Sequence, residues 1–475
     1  MVKKIVVLLL CIVCLATILI GCGENFKTDP IPTDDLSGAV VESNGGMAVK
    51  IGKYLYYING YAGNTVDNSF GKVIKGAIVR CELDANGRPI YETNKVIVSK
   101  NVYNTTATSG LYIQDGYIYY STPSTDKDKN GEIRTSAMFL MRSKLDGTGT
   151  EIIAKFDDYT NIYKVVKGYV VYIKTATEIH EIDLNSKKFD DKVIVSDVTT
   201  YYFTPRADEE NAFVDKVFYT KPSEVKTETH NEMWVYTAGG ESKKVIIGNV
   251  PSYPSEKLEV PTGYTLTLVE SIYLSDNKLR LVYTKTDSGP NTRSKGTYSY
   301  DFSSDLTFDH QKEVRYTSGR DITKLHFLDD NNLIATSGTD IGLFRLINGN
   351  YIKDKEATLI PSSATIFYLS KTDSNVEIYY NSSSVISKIK VLDKTEDGYV
   401  VNFGPEAIEV FKASATISWL PLEKIGDLIY FWNTSVKDYT YYVDLSKVVG
   451  RDNQTLKPVQ LSLITPEDKV EILSL

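Results

Sequence analysis

The sequence predicts an all-β fold: a β-propeller of seven or eight blades, with about four antiparallel strands per blade. Three observations carry this. A hairpin of short, apolar, Tyr-rich strands recurs about every 50 residues along the chain. Each hairpin is bounded by Gly, Asp or Asn, the residues that turn an extended backbone. Windows with apolar residues at helical spacing are scarce, and the nearest, 405–412, is too short to carry weight.

Before the hairpins comes an export signal. Lys3 and Lys4 precede a run from Ile5 to Ile20 that holds no charge, and Gly21-Cys22 follows. The lysines hold the amino terminus on the cytoplasmic side. The run falls slightly short of the roughly 20 residues that span a bilayer, which suits a signal peptide over residues 1–21 better than a permanent span. A plain secretory signal would end in an Ala-x-Ala-like site. Here Leu19, Ile20 and Gly21 form a lipobox before Cys22. The expectation is cleavage before Cys22, lipid on its thiol, and anchorage in the lipid bilayer of the cell membrane on its extracytoplasmic side. Two acyl chains hold a protein stably where one does not. An uncleaved membrane helix is the alternative.

Residues 22–45 read as a flexible polar tether. They hold Pro30, Pro32 and the Asp34-Asp35 pair, and no apolar period starts before Met47. A linker of this length spans about 26 Å root-mean-square, enough to lift a folded body clear of the headgroups.

Residues 46–475 form the propeller domain. The first strand of each visible hairpin is clearest in Gly52-Lys-Tyr-Leu-Tyr-Tyr-Ile58, Asp115-Gly-Tyr-Ile-Tyr-Tyr120, Lys167-Gly-Tyr-Val-Val-Tyr172 and Asp215-Lys-Val-Phe-Tyr219. It returns at Asp276–Tyr283, Asp330–Ala335, Asn375–Tyr380 and Gly426–Phe431. The second strands are Ala77–Asp84, Met138–Gly147, Glu178–Leu184, Met233–Tyr236, Thr297–Asp301, Gly342–Leu346, Ser387–Asp393 and Thr440–Leu445. Runs such as Tyr-Ile-Tyr-Tyr are apolar at every position, as expected where both sheet faces are covered by neighbouring blades. Eight units are visible. Seven blades would result if the last unit closed the ring with strands from the chain start. Two successive β-domains, divided near Gly248–Thr262 with its three prolines, are the rival architecture.

Unit two reads Asp115-Gly-Tyr-Ile-Tyr-Tyr-Ser121 and then Leu140-Met-Arg-Ser-Lys-Leu-Asp-Gly-Thr-Gly149. This resembles the bacterial propeller lipoproteins similar to the low-density-lipoprotein-receptor YWTD propeller. The likeness is sharp in units one and two. Tyr-Trp-Thr-Asp itself is absent, and Tyr219-Thr220-Lys221 and Tyr283-Thr284-Lys285 are partial echoes. The resemblance implies a propeller and export. The bacterial members imply no settled activity, and the receptor propellers imply protein binding by analogy.

Composition excludes some functions. The formal charge is −8, and removing Lys3 and Lys4 with the signal takes it to −10, a poor match to nucleic acid, which needs a basic footprint. Of the four cysteines only Cys81 would remain free, so no intramolecular disulfide is expected. In Val79-Arg-Cys-Glu-Leu83 it shares a strand face with Val79 and Leu83 and reads as an inert buried thiol. The four histidines are never at metal-ligand spacing, and His180 reads as a strand residue. No G-x-S-x-G or H-E-x-x-H occurs. Ser337–Gly342 departs from a sialidase Asp-box in spacing and ending, and reads as a hairpin turn.

One stretch has metal chemistry. Asp126, Asp128 and Asn130, followed by Gly131 and Glu132, match the first half of a calcium loop, with oxygen ligands at alternate positions and Glu132 offering a backbone carbonyl. Ala137 stands where the bidentate Glu belongs. Calcium is the cofactor this stretch would take, and a charged hairpin loop is the alternative. The 34 tyrosines could stack on sugars, but their place inside strands favours core packing. The functional expectation is a monomeric, membrane-anchored binding protein. Its loop face would take an envelope protein, a peptide or a glycan. A glycan-active extracellular enzyme and an envelope scaffold are the alternatives.

Overall fold

In a computed structural model, the described residues are 36, 38–60, 74–102, 110–132, 137–157, 162–205, 211–224, 231–247, 264–274, 276–287, 296–316, 322–337, 340–347, 350–353, 360, 364–382, 385–395, 398–401, 408–412, 423–432, 439–448 and 456–463. They form a β-propeller of eight units in seven sheets, because blades five and six share one eight-stranded sheet in which Val314–Tyr316 pairs in parallel with Asn350–Lys353. The hairpins legible in the sequence are the middle two strands of each unit. Blade one comprises Ala48–Ile51, Tyr54–Ile58, Ile78–Leu83 and Pro89–Val98. Blade two comprises Tyr112–Gln114, Tyr117–Pro123, Met138–Lys144 and Glu151–Phe156. Blades three and four start at Tyr163–Val166 and Thr200–Phe203, and blades five and six at Tyr264–Tyr273 and Ile322–Phe327. Blade seven starts at Thr365–Lys371 and blade eight at Glu423–Ile425. First strands touch between blades two and three, four and five, and five and six, which places them on the inside of the ring.

Burial explains the unbroken apolar runs. In blade three, Val170 and Tyr172 pack toward blade two with Tyr119, Leu140 and Phe156. Val171 and Ile173 of the same strand pack toward blade four with Val217, Tyr219 and Tyr236. A strand that alternates between two apolar seams needs no polar face. The next seams continue around the ring. Phe218 and Met233 meet Leu281 and Phe302, Val282 meets Phe327 and Tyr351, Ile334 meets Ile378, and Tyr379 meets Phe431. Tyr430 and Trp432 then share one cluster with Leu55 and Tyr120, which completes the circle. The first of these seams joins residues on both sides of Gly248–Thr262, so the two-domain alternative is not what the chain forms.

Closure does not borrow a strand. Blade eight supplies its own outer strand, Val459–Gln460, paired to Thr440–Asp444. The seam is stitched by polar groups instead. Tyr57 donates to the Leu461 carbonyl at 2.9 Å. Asn59 donates to Leu463 O at 3.2 Å and accepts from Leu463 N at 2.8 Å. Thr440 Oγ1 bridges Ile58 O and Gly60 N, and Arg88 pairs with Asp444 at 2.7 Å.

One boundary needs correction. The tether expected over 22–45 includes residues that belong to the ring. Val41–Glu42 pairs with Lys50 and Ile51, Leu36, Ala39 and Val41 pack on the core, and Asn44 exchanges hydrogen bonds with the Ile113 backbone at 3.1 and 2.7 Å. Three apolar residues at irregular spacing make no period, so this edge was invisible in sequence. The export signal, Cys22 and the rest of the tether lie outside the described residues. Among the described residues no helix is long and apolar enough to cross a membrane.

Candidate functional site

Successive antiparallel connections leave from alternate ends of a blade, so the ring has two distinct ends. At one end every blade except the fourth closes its first hairpin within five residues, as at 52–53, 115–116 and 426–427. The longer connections 59–77, 99–111, 124–137 and 248–263 all leave from the other end, which is the loop face.

Between these ends, the inner strands of blades four and five are more open than those of blades one to three. Ala48–Ile51, Tyr112–Gln114 and Tyr163–Val166 are almost wholly buried, whereas all four residues of Thr200–Phe203 are half-buried. Tyr201 and Phe203 lean toward blade three and Tyr202 toward blade five. Opposite them Thr265 and Thr267 are exposed, and Glu270, Ile272 and Tyr273 are half-buried. A bulge between Leu268 and Glu270 interrupts the alternation of this strand, the usual way a sheet re-aims a side chain. Glu270 thereby reaches blade four, where its Oε1 accepts from the Tyr202 hydroxyl and from Ser271 N. Its Oε2 has no partner among the described residues. Burial raises the Glu270 carboxyl above the ordinary carboxylate value, with Tyr202 and Ser271 opposing. Burial, then the nearby carboxylate, raises the Tyr202 phenol. Tyr273 donates to Pro205 O at 3.0 Å, fastening the same seam.

This arrangement sets half-buried aromatic side chains beside a carboxyl oxygen that has no partner among the described residues. It suits hydroxyl- or amide-bearing ligands, which stack and hydrogen-bond together. Sequence reasoning missed Glu270 and Tyr202. A bulge and a partner 68 residues away leave no local signal.

The stretch carrying the calcium expectation forms a compact turn at the loop face. Asp128 Oδ1 accepts from Asn130 N at 2.8 Å and Glu132 N at 3.0 Å, and Asp126 pairs with Lys155 at 2.8 Å. No group of three or more His, Cys, Asp or Glu suited to a metal gathers among the described residues. Calcium would have to draw Asp126 from Lys155 and Asp128 from its amides. A rise in melting temperature with millimolar calcium, lost in Asp128→Asn, would support the site, and no rise would end it.

Cys81 is free and fully buried, and burial raises its thiol to about 12. His180 sits within a strand as expected, with Nδ1 3.0 Å from Asp191 and Nε2 3.2 Å from Glu178. Among the described residues the tyrosines are mostly core, including Tyr56, Tyr57, Tyr120, Tyr219 and Tyr283.

No protein-family model matches this chain, and no curated protein does. Solved structures do. A prolyl endopeptidase is similar at TM-score 0.38 and 14% identity, over 76% of this chain and 50% of that one, so the chain spans half the length of that enzyme. BamB from Moraxella catarrhalis gives 0.38 and 11%, over 85% of this chain and 95% of that one. The β-propeller domain of the Trilobed protease from Pyrococcus furiosus gives 0.37 and 7%, over 76% and 97%. Likeness at this level carries no functional conclusion. The propeller assignment rests on the seven sheets, one of them shared by blades five and six, and on the closed circle of seams.

Proposed function

We propose that this chain is a lipoprotein anchored through Cys22 on the outer side of a cell membrane, and that it acts as a monomer. Its propeller, of the YWTD-like type, binds a protein, peptide or glycan partner on the loop face and at the adjoining inner strands. The lipobox motivates the anchor. The half-buried aromatic strand Thr200–Phe203 beside Glu270 carries the binding reading, because the inner strands of blades one to three bury equivalent positions. The propeller's rigidity serves this role, since a pre-formed surface loses little entropy on binding.

Capture of envelope components, with a glycan array beside it, tests the binding site. The combined substitution Tyr201→Ser and Glu270→Gln is expected to lose at least tenfold in retention of whatever the native protein captures. Retention unchanged in that variant would remove blades four and five from the site. The anchor has its own test. Cys22→Ala is expected to release the protein from the membrane fraction or leave a slower-migrating precursor. Unchanged partition and mobility would exclude lipidation.

A second reading, a glycan-active enzyme, draws on one observation: a carboxyl that holds its proton above its usual range is suited to general-acid work. Glycan cleavage by the native protein that Glu270→Gln abolishes would favour it.

A further inference from the structure

The third strands of blades one and two carry the same constellation, and in only one of them is it complete. In blade two, Arg142 stands opposite Tyr119, and its guanidinium lies 4.4 Å over the Tyr117 ring. It pairs at 2.8 Å with Glu151, its neighbour on the fourth strand. In blade one, Arg80 stands opposite Tyr56 and lies 5.1 Å over the Tyr54 ring. The residue opposite it on the fourth strand is Lys95. Where blade two has a carboxylate, blade one has a second cation.

The consequence is visible at Arg80. The residue is only 6% exposed, and its Nη1 is buried with no hydrogen-bond partner. Among the described residues no carboxylate forms an ion pair with it. Burying a guanidinium without a counter-charge is costly, and a bound group that supplies the missing charge is one way such a cost is met. The side chain leads toward the end of tight turns. It overlies Tyr54, whose ring also has Lys53 Nζ 5.3 Å away. Across the seam is the turn at Leu145 and Asp146 of blade two. Leu145 O there accepts from Tyr56 at 3.0 Å, and Asp146 is engaged with Thr148 N and Oγ1 at 2.9 and 2.7 Å.

We propose that the tight-turn end of the seam between blades one and two is a carboxylate-binding site. Arg80 is its receptor, and Lys53 and Lys95 add flanking positive charge. The ligand class is a peptide carboxylate, either an acidic side chain or a chain terminus. Glu151 shows within the same molecule that a carboxylate fits an arginine held over a tyrosine in this way, and guanidinium–carboxylate pairing is favoured in geometry and strength. The site lies at the opposite end of the ring from the loop face and does not depend on what binds there.

The test uses the full chain in mild detergent, with sodium acetate as the probe against sodium chloride at equal ionic strength and pH 7. Acetate at 100 mM is expected to raise the melting temperature by about 2 °C over chloride. Lys95→Glu supplies the carboxylate from within. It is expected to raise the melting temperature in chloride and to cancel the acetate increment. Arg80→Met is expected to cancel the increment as well, and Lys95→Glu keeps the test decisive if that variant fails to fold. An equal response to acetate and chloride in the native chain overturns the proposal. An acetate increment that survives in Lys95→Glu also overturns it, by placing the acetate elsewhere.

Discussion

Glu270 shows how much one side chain can depend on its surroundings. Its carboxyl is raised by burial, so between the ordinary carboxyl value of 4.5 and its higher folded value the native state keeps a proton that the unfolded chain has released. Stability therefore falls as pH rises through that window, and is lowest once Glu270 is ionised in both states. Glu270→Gln keeps an acceptor for Tyr202 and removes the titration. Melting curves from pH 4.5 to 8 are expected to show a flatter decline for the variant than for the native chain. Parallel curves would mean that Glu270 is not the group responsible. Legibility at this scale was uneven. Cys81 could be placed by alternation alone, because Val79 and Leu83 flank it on a regular strand and all three are buried in one cluster. Glu270 and Arg80 could not, because their character comes from groups brought alongside by the fold.

Among the strands, the middle pair of each blade was readable and the inner and outer strands were not. Tyr54–Ile58 and Leu428–Trp432 are buried at every position, so their sequences are unbroken apolar runs. The outer strands Asp191–Val195 and Glu151–Phe156 are half exposed and read as polar connections. The inner strands are three or four residues long in several blades, too short for a period to register. Turns decide how closely blades approach. Gly147 has φ +84°, and a Cβ there would overlap the Ile97 carbonyl of blade one. Gly116 has φ +77° and open space around it. Gly116→Ala is expected to cost about 1 kcal/mol, the ordinary strain of a left-handed residue. Gly147→Ala is expected to cost at least about 3 kcal/mol, because backbone must also move. Denaturant melts of the two variants give the comparison, and equal losses would mean that blade two does not press on blade one at this turn.

For the whole ring, eight seams share the load, and among the described residues the one between blades eight and one is crossed by several polar contacts. Asn59 is fully buried, and it bonds to Leu463 in both directions as well as to Ile74 O at 3.0 Å. Losing several buried hydrogen bonds and leaving their partners unsatisfied is expected to cost about 3 kcal/mol in Asn59→Ala. Proteolysis under native conditions is expected to cut that variant first near the chain ends, where the seam opens. A uniform cutting pattern would mean that the ring does not open there.

The polar stitch between blades eight and one also sets an order of events. A chain delivered amino terminus first leaves blade one with a bare apolar flank, Leu55 and Tyr57 among its residues, until Leu461 has emerged. Seven blades of polypeptide must wait in a half-built, sticky arc. Truncation near residue 440 is expected to strand it in that unfinished state, with the apolar flank exposed.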